Sequence, residues 1–138
     1  MTHLLDTNVV SESRKARRDE RVEAWLQSVD SNTLHVSVLA IGEIRRGIEL
    51  LRRRNDHRQA DALEPWFAKL KQDFAPRTLA VSPPIAERWG ALNAMRTLPI
   101  IDGLMAATAL EYDLTLVTRD TAGLAGTGVR LLDPWQAH

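Results

Sequence analysis

The sequence predicts an α/β fold, a mainly parallel sheet of four to five strands with helices on both faces. Three observations lead there. Short apolar or β-branched runs recur along the chain, at residues 3–5, 33–38, 78–81, 114–118 and 129–132. Stretches of helical periodicity separate them. Strands joined through helices imply right-handed parallel crossovers, which cover both faces of one sheet. With 138 residues and an apolar share of 44%, the chain fits one domain over residues 1–138.

The elements follow in order. His3-Leu4-Leu5 opens a buried strand that stops at Asp6-Thr7-Asn8, residue types that cap helices and bind their own backbone. Arg14 to Glu20 reads as a charged loop. Val22, Trp25, Leu26 and Val29 recur at helical spacing and predict a helix over about residues 19–30. Thr33 to Val38 is the second strand. A helix over about 39–54 and another over about 57–73 come next, with Pro65 an expected kink in the latter. Thr78 to Val81 is a third strand, and Ser82-Pro83-Pro84 starts a helix reaching about Met95. Leu98 to Ile101 is expected as loop, and Asp102 as the N-cap of a helix ending near Tyr112. Leu114 to Thr118 is the fourth strand. Gly123 to Gly128 is rich in turn residues, and Val129 to Leu132 is the expected edge strand.

Composition removes several classes of function. The absence of cysteine excludes disulfides, zinc–thiolate sites and thiol catalysis. The four histidines, His3, His35, His57 and His138, have no metal-ligand spacing and are expected on the surface or satisfied in the core. Neither G-x-S-x-G nor G-x-x-x-x-G-K-[ST] occurs, which sets aside serine-hydrolase and P-loop chemistry. No apolar run approaches the ~20 residues of a membrane span, and no signal-peptide pattern opens the chain, so a cytoplasmic protein without a membrane partner is expected. Charge is balanced at 18 basic against 18 acidic residues. Neutralising four carboxylates would leave a basic remainder, so nucleic acid is permitted without being demanded.

Those four carboxylates carry the chemistry. In an open parallel sheet, ligands bind outside the carboxyl ends of the strands. Asp6 follows the first strand and Asp120 the fourth, so both belong on one rim, although either also suits a cap or turn. Glu43 falls within the apolar arc of its helix, between Leu50 and Gly47 in projection at ~100° per residue. A carboxylate there needs a partner: a metal, a salt bridge such as Arg46, or an arc whose edge is exposed. Asp102 shares a helix face with Ala106 and Ala109, small residues that let the helix approach the sheet closely. Four converging carboxylates suit a hard divalent cation, Mg2+ or Mn2+. Without metal they repel one another. With it, hydrolysis of a phosphodiester is the natural chemistry.

These motifs resemble a known family. "LLDTNVV" around Asp6, "VSVLAIGEIRRGI" around Glu43, "IDGLMAATALEYDLTLVTRD" from Ile101 to Asp120 and the terminal "LLDPW" are similar, nearly end to end and in order, to the PIN-domain ribonucleases. The likeness is closest to the VapC-type toxins of toxin–antitoxin pairs, in the FitB-like branch. It implies a three-layer α/β/α sandwich, and one PIN domain over residues 1–138. The implied activity is that of a Mg2+- or Mn2+-dependent endoribonuclease. Asp6, Glu43, Asp102 and Asp120 are its implied catalytic and metal-binding residues, and Asn8 and Thr118 its implied site-lining groups. Arg119 is a candidate phosphate contact. The implied partners are the RNA substrate, a cognate antitoxin, a second copy in a homodimer, and operator DNA reached through a toxin–antitoxin hetero-oligomer. Leu63, Trp66, Phe67 and Leu70 are a candidate groove for the antitoxin's tail, and also a plain core stripe.

Two departures stand out. The segment from Asn93 to Ile101 is shorter than in some members. Gly123 and Leu124 occupy positions where others carry an acid and an aromatic residue. The basic runs Arg14–Arg18 and Arg52–Arg54 suit either RNA phosphates or a solvated surface. Two rival functions remain. One is a phosphatase or phosphotransferase using Asp6 as nucleophile, against which stands Asn8 where that chemistry favours a second Asp. The other is a non-catalytic module that binds RNA or protein.

Overall fold

The structure is a computed structural model describing residues 2–136, so His138 lies outside the described residues. Five parallel strands form one sheet in the order β3-β2-β1-β4-β5. They are β1 (His3–Leu5), β2 (Leu34–Ser37), β3 (Thr78–Leu79), β4 (Thr115–Val117) and β5 (Leu131–Leu132). The helices are α1 (Thr7–Glu12), α2 (Glu20–Ser28), α3 (Val38–Arg53), α4 (His57–Phe74), α5 (Pro83–Met95), α6 (Ile100–Tyr112) and α7 (Thr121–Leu124). The last strand is the expected edge.

Alternation along the strands builds the three layers. Leu5 and Val117 face one core with Val9, Val22, Ile48 and Phe67 of α1 to α4. Leu4 and Leu116 face the other with Met105, Ala106 and Ala109 of α6. Because side chains of successive strand residues point to opposite faces, two adjacent leucines serve two cores. The small residues of α6 let it lie close against the sheet, and Ala106 and Ala109 are fully or almost fully buried.

Three expectations change. Two short helices, α1 and α7, occupy stretches read from sequence as cap and turn. Helix α6 begins two residues before Asp102, which therefore sits in the first turn and is not the N-cap. Pro99 takes that place, its carbonyl accepting the first helical bond from the Gly103 amide at 2.9 Å. The fixed φ of proline supports this start without a side-chain cap. Helix α4 runs continuously across Pro65. The amide that proline lacks would have bonded to the carbonyl of Asp61, in the turn that α3 holds through Arg52. No helix among the described residues is long and apolar enough to cross a membrane.

Candidate metal centre

The strand order reverses at β1. From there the chain moves through β2 to β3 on one side, then returns to β4 and β5 on the other. The crevice beyond the carboxyl ends of β1 and β4 is thus the topological switch point, where such sheets bind ligands. Leu5 pairs with Val117, and the Asp6 amide bonds to the Val117 carbonyl at 2.9 Å. The next residues on the two strands, Asp6 and Thr118, consequently face each other.

A hydroxyl knits this rim together. Thr118, almost wholly buried, donates its Oγ1–H to Asp6 Oδ2 at 2.8 Å and accepts the Asp120 amide at 3.1 Å. Asp6 Oδ1 accepts the Thr7 amide at 2.7 Å and caps α1. Asp120 Oδ1 accepts the Gly123 amide at 3.0 Å and caps α7. Thr7 Oγ1 in turn donates to Glu43 Oε1 at 2.5 Å, joining α1 to α3. Thr7 is a residue that sequence reasoning missed. Its only signal was a hydroxyl beside the Asp, and its partner lies 36 positions away.

Glu43 is half-buried, at the margin of the apolar arc, while Gly47 and Leu50 beyond it are exposed. Arg46 is not its salt-bridge partner. Indeed, none of the four carboxylates has a lysine, arginine or histidine within salt-bridge distance among the described residues.

Asp102 reports the consequence. Burial pushes its carboxyl above the ordinary aspartate range, and the negative charges of Asp6, Asp120 and Glu43 push it in the same direction. Four distant points of the chain therefore share one uncompensated negative field. Gly103 helps to set this geometry. A Cβ there would stand 3.0 Å from the Trp89 ring of α5, so glycine lets α5 approach the first turn of α6.

Among the described residues, no group of three acidic or imidazole side chains stands close enough together to hold a metal ion. Oxygen donors gathered loosely fit a cation such as Mg2+, which is held by one or two carboxylates and keeps several waters. The donor set also excludes a soft, thiolate-binding metal. A divalent cation would offset both the burial and the repulsion that raise Asp102.

The other expected site groups stand apart. Asn8 is exposed on α1 and makes no side-chain hydrogen bond among the described residues. Arg119 is exposed and stacks over the Trp135 ring, 4.4 Å from its centroid. A groove of about 300 Å³ leads away from Thr7 and Glu43, floored by Ile44, Ile48, Leu63 and Trp66, with Arg14 and Arg54 also lining it. Phe67 and Leu70, read from sequence as either groove or core, belong to the core beneath it, because α4 turns them towards the sheet. Of the basic runs, Lys15, Arg18 and Arg52 are paired with Glu12, Glu23 and Asp61.

Comparison with known proteins agrees with this fold. The PIN domain family matches residues 3–126. Toxin FitB of Neisseria gonorrhoeae is 33% identical over 137 residues, spanning 96% of this chain and 97% of that protein. VapC ribonuclease Y4jK of Sinorhizobium fredii is 30% identical over 139 residues, spanning 96% and 97%. Among solved structures, FitAcB from Neisseria gonorrhoeae superposes with a TM-score of 0.83 at 31% identity, covering 99% of this chain and 100% of that one. FitAB bound to an IR36 DNA fragment gives a TM-score of 0.77 at 29% identity, covering 99% and 98%.

Proposed function

Because this chain belongs to the PIN-domain family, in its FitB and VapC branch, we propose that it is a toxin that cleaves RNA phosphodiester bonds with Mg2+ or Mn2+. The observation that carries this reading is the field at Asp102. Burial and three further carboxylates act on it, and among the described residues no lysine, arginine or histidine lies within salt-bridge distance of the four. Asp6, Glu43, Asp102 and Asp120 would hold the metal. When bound, it would polarise the phosphodiester, favour ionisation of the attacking water and stabilise the leaving oxygen.

The chain's own groups do the positioning. Thr118 aligns Asp6 with Asp120, and Thr7 aligns Glu43 with Asp6. These bonds fix the carboxylates before any ligand arrives, so little ordering is left to the reacting state. Both oxygens of Asp6 already accept hydrogen bonds, which blunts it as a nucleophile and counts against the phosphatase reading. Asn8, on the exposed side of α1, and Arg119 are proposed as outer contacts to RNA.

The proposed inhibitor is a cognate antitoxin whose tail lies in the groove floored by Leu63 and Trp66 and reaches Glu43. Its apolar floor and arginine lining suit an amphipathic, acidic segment. The toxin would act as a homodimer, as the family resemblance implies, and by analogy with FitAB bound to DNA it would join its antitoxin as a hetero-oligomer on operator DNA.

The test uses the purified chain, free of inhibitor, with total cellular RNA and Mg2+ or Mn2+, followed by sequencing of the new RNA ends. Defined cleavage ends are expected, lost in chelator and in Asp6→Asn. Full cleavage in chelator would refute the metal mechanism. RNA binding without cleavage under either metal would favour an inert module, and covalent phosphate on Asp6 a phosphotransferase.

A further inference from the structure

We propose that Arg96 is a positioning residue, which clamps the loop between α5 and α6 to the carboxyl end of α7 and so sets Asp120 relative to Asp102. This inference rests on the metal-site reading above. Helix α7 has four residues, a single turn that cannot hold itself. Its last carbonyls need partners from elsewhere. Arg96 supplies them: Nη1 donates to the Ala125 carbonyl and Nη2 to the Gly123 carbonyl. The planar guanidinium fork suits two carbonyls at once, which a lysine ammonium on a flexible stem does not reproduce.

The connection to the site is short. The Gly123 amide donates to the Asp120 carboxylate, while the carbonyl of the same residue accepts from Arg96. One residue thus links the guanidinium to the carboxylate. The chain then turns at Gly126, whose φ of +82° favours glycine, beside the Arg96 guanidinium.

At its other end Arg96 belongs to a loop that is itself fixed. Asn93 Nδ2 donates to the Leu98 carbonyl at 3.2 Å, and the Leu98 side chain is buried. Pro99 follows and starts α6, with Asp102 in its first turn. Arg96 therefore ties together the two segments that present Asp102 and Asp120. Although exposed, it pairs with no carboxylate among the described residues.

The experiment measures Mn2+ binding by titration calorimetry, and RNA cleavage as a function of Mn2+, in wild type, Arg96→Ala and Arg96→Lys. Loss of a group that orients a metal ligand costs roughly 10- to 100-fold in metal affinity. Arg96→Ala is expected to weaken Mn2+ by about tenfold or more, with a much smaller loss of rate at saturating Mn2+. Free guanidinium should restore binding to that variant. Arg96→Lys, which keeps the charge and is the safer variant to fold, should bind Mn2+ more weakly than wild type. Unchanged Mn2+ affinity in both variants would overturn the proposal. So would a loss of rate at saturating Mn2+ with affinity intact, which would make Arg96 an RNA contact. A wild type that binds no Mn2+ would instead sink the metal-site reading itself.

Discussion

Two acidic clusters on this molecule are built from the same side chains and live in opposite fields. Between α3 and α4, Glu64 is gripped by both Nη atoms of Arg45 at 3.0 Å and by Arg52 at 2.9 Å. Arg52 also holds Asp61 at 2.8 Å. The two guanidinium groups lower the Glu64 carboxyl to about 2. At the carboxyl ends of β1 and β4 the sign is reversed. There Asp102 is raised by burial and by Asp6, Asp120 and Glu43, with hydroxyls and amides for company. The first cluster is electrically complete within the chain and clasps two helices. The second has no cationic partner within salt-bridge distance among the described residues, which is what the proposed metal would supply.

The strongest way to break that contrast is Asp102→Asn. Metal-dependent cleavage should fall by roughly 10²- to 10³-fold or more, the scale of losing one group that stabilises developing charge. In chelator the same variant should be at least as stable as wild type, since it removes one of four repelling charges. Saturating Mn2+ sharpens the difference. At about 100 times the dissociation constant a bound ligand adds about 2.7 kcal/mol, or roughly 5–10 °C of Tm for a chain of this size. Wild type and Glu64→Gln should show that shift, and Asp102→Asn only a fraction of it. Equal shifts in Asp102→Asn and wild type would mean that the rim does not hold the metal.

Capping by Asp6 and Asp120 leaves the proposed ligation open, since each uses only Oδ1 on its helix. Read alone, Asp6 and Asp120 suit helix caps as well as a metal site, and in the structure each caps a helix with Oδ1. Strand positions and helix periodicity were legible because hydrophobic pattern reports them directly, whereas the strand order, and with it the reversal at β1, appeared only in the fold. Helices α1 and α7 were not, because neither has enough length for a periodic signal. Tertiary bonds hold them instead, from Thr118 to Asp6 and from Arg96 to Gly123 and Ala125. The convergence of Glu43 with Asp6 was carried by the family resemblance more than by its own helix, whose apolar arc has an exposed edge. Thr7 stayed hidden because only the fold brings it to Glu43.

Gly123 illustrates the same limit, and it supplies the next test. Its position looked like a lost acid, yet the backbone there has its own reason to be glycine. A Cβ would stand 2.4 Å from Asp120 Oδ2, so alanine must push the carboxylate aside. Gly123→Ala is expected to weaken Mn2+ by about tenfold, the scale of disturbing a ligand's orientation, while Tm in chelator changes little. Calorimetry against Mn2+ measures it. Wild-type affinity in Gly123→Ala would mean that Asp120 need not keep its present rotamer.

The smallest effect belongs to the clasp, and it is visible only as a slope. Glu64 is held near 2 in the fold against an ordinary value of 4.5, so on acidification the unfolded chain takes up its proton first. The stability it contributes is complete above about 4.5 and disappears as the pH falls towards about 2. Glu64→Gln cannot titrate. Its Tm should lie below that of wild type at neutral pH, and the two should converge across that acid window. Because both guanidinium groups are solvent-facing, the gap should also narrow in high salt. Tm measured from pH 2 to 7 at two salt concentrations decides the matter. A gap that stays constant with pH would show that Glu64 acts by packing, and the electrostatic contrast between the two clusters would lose one of its halves.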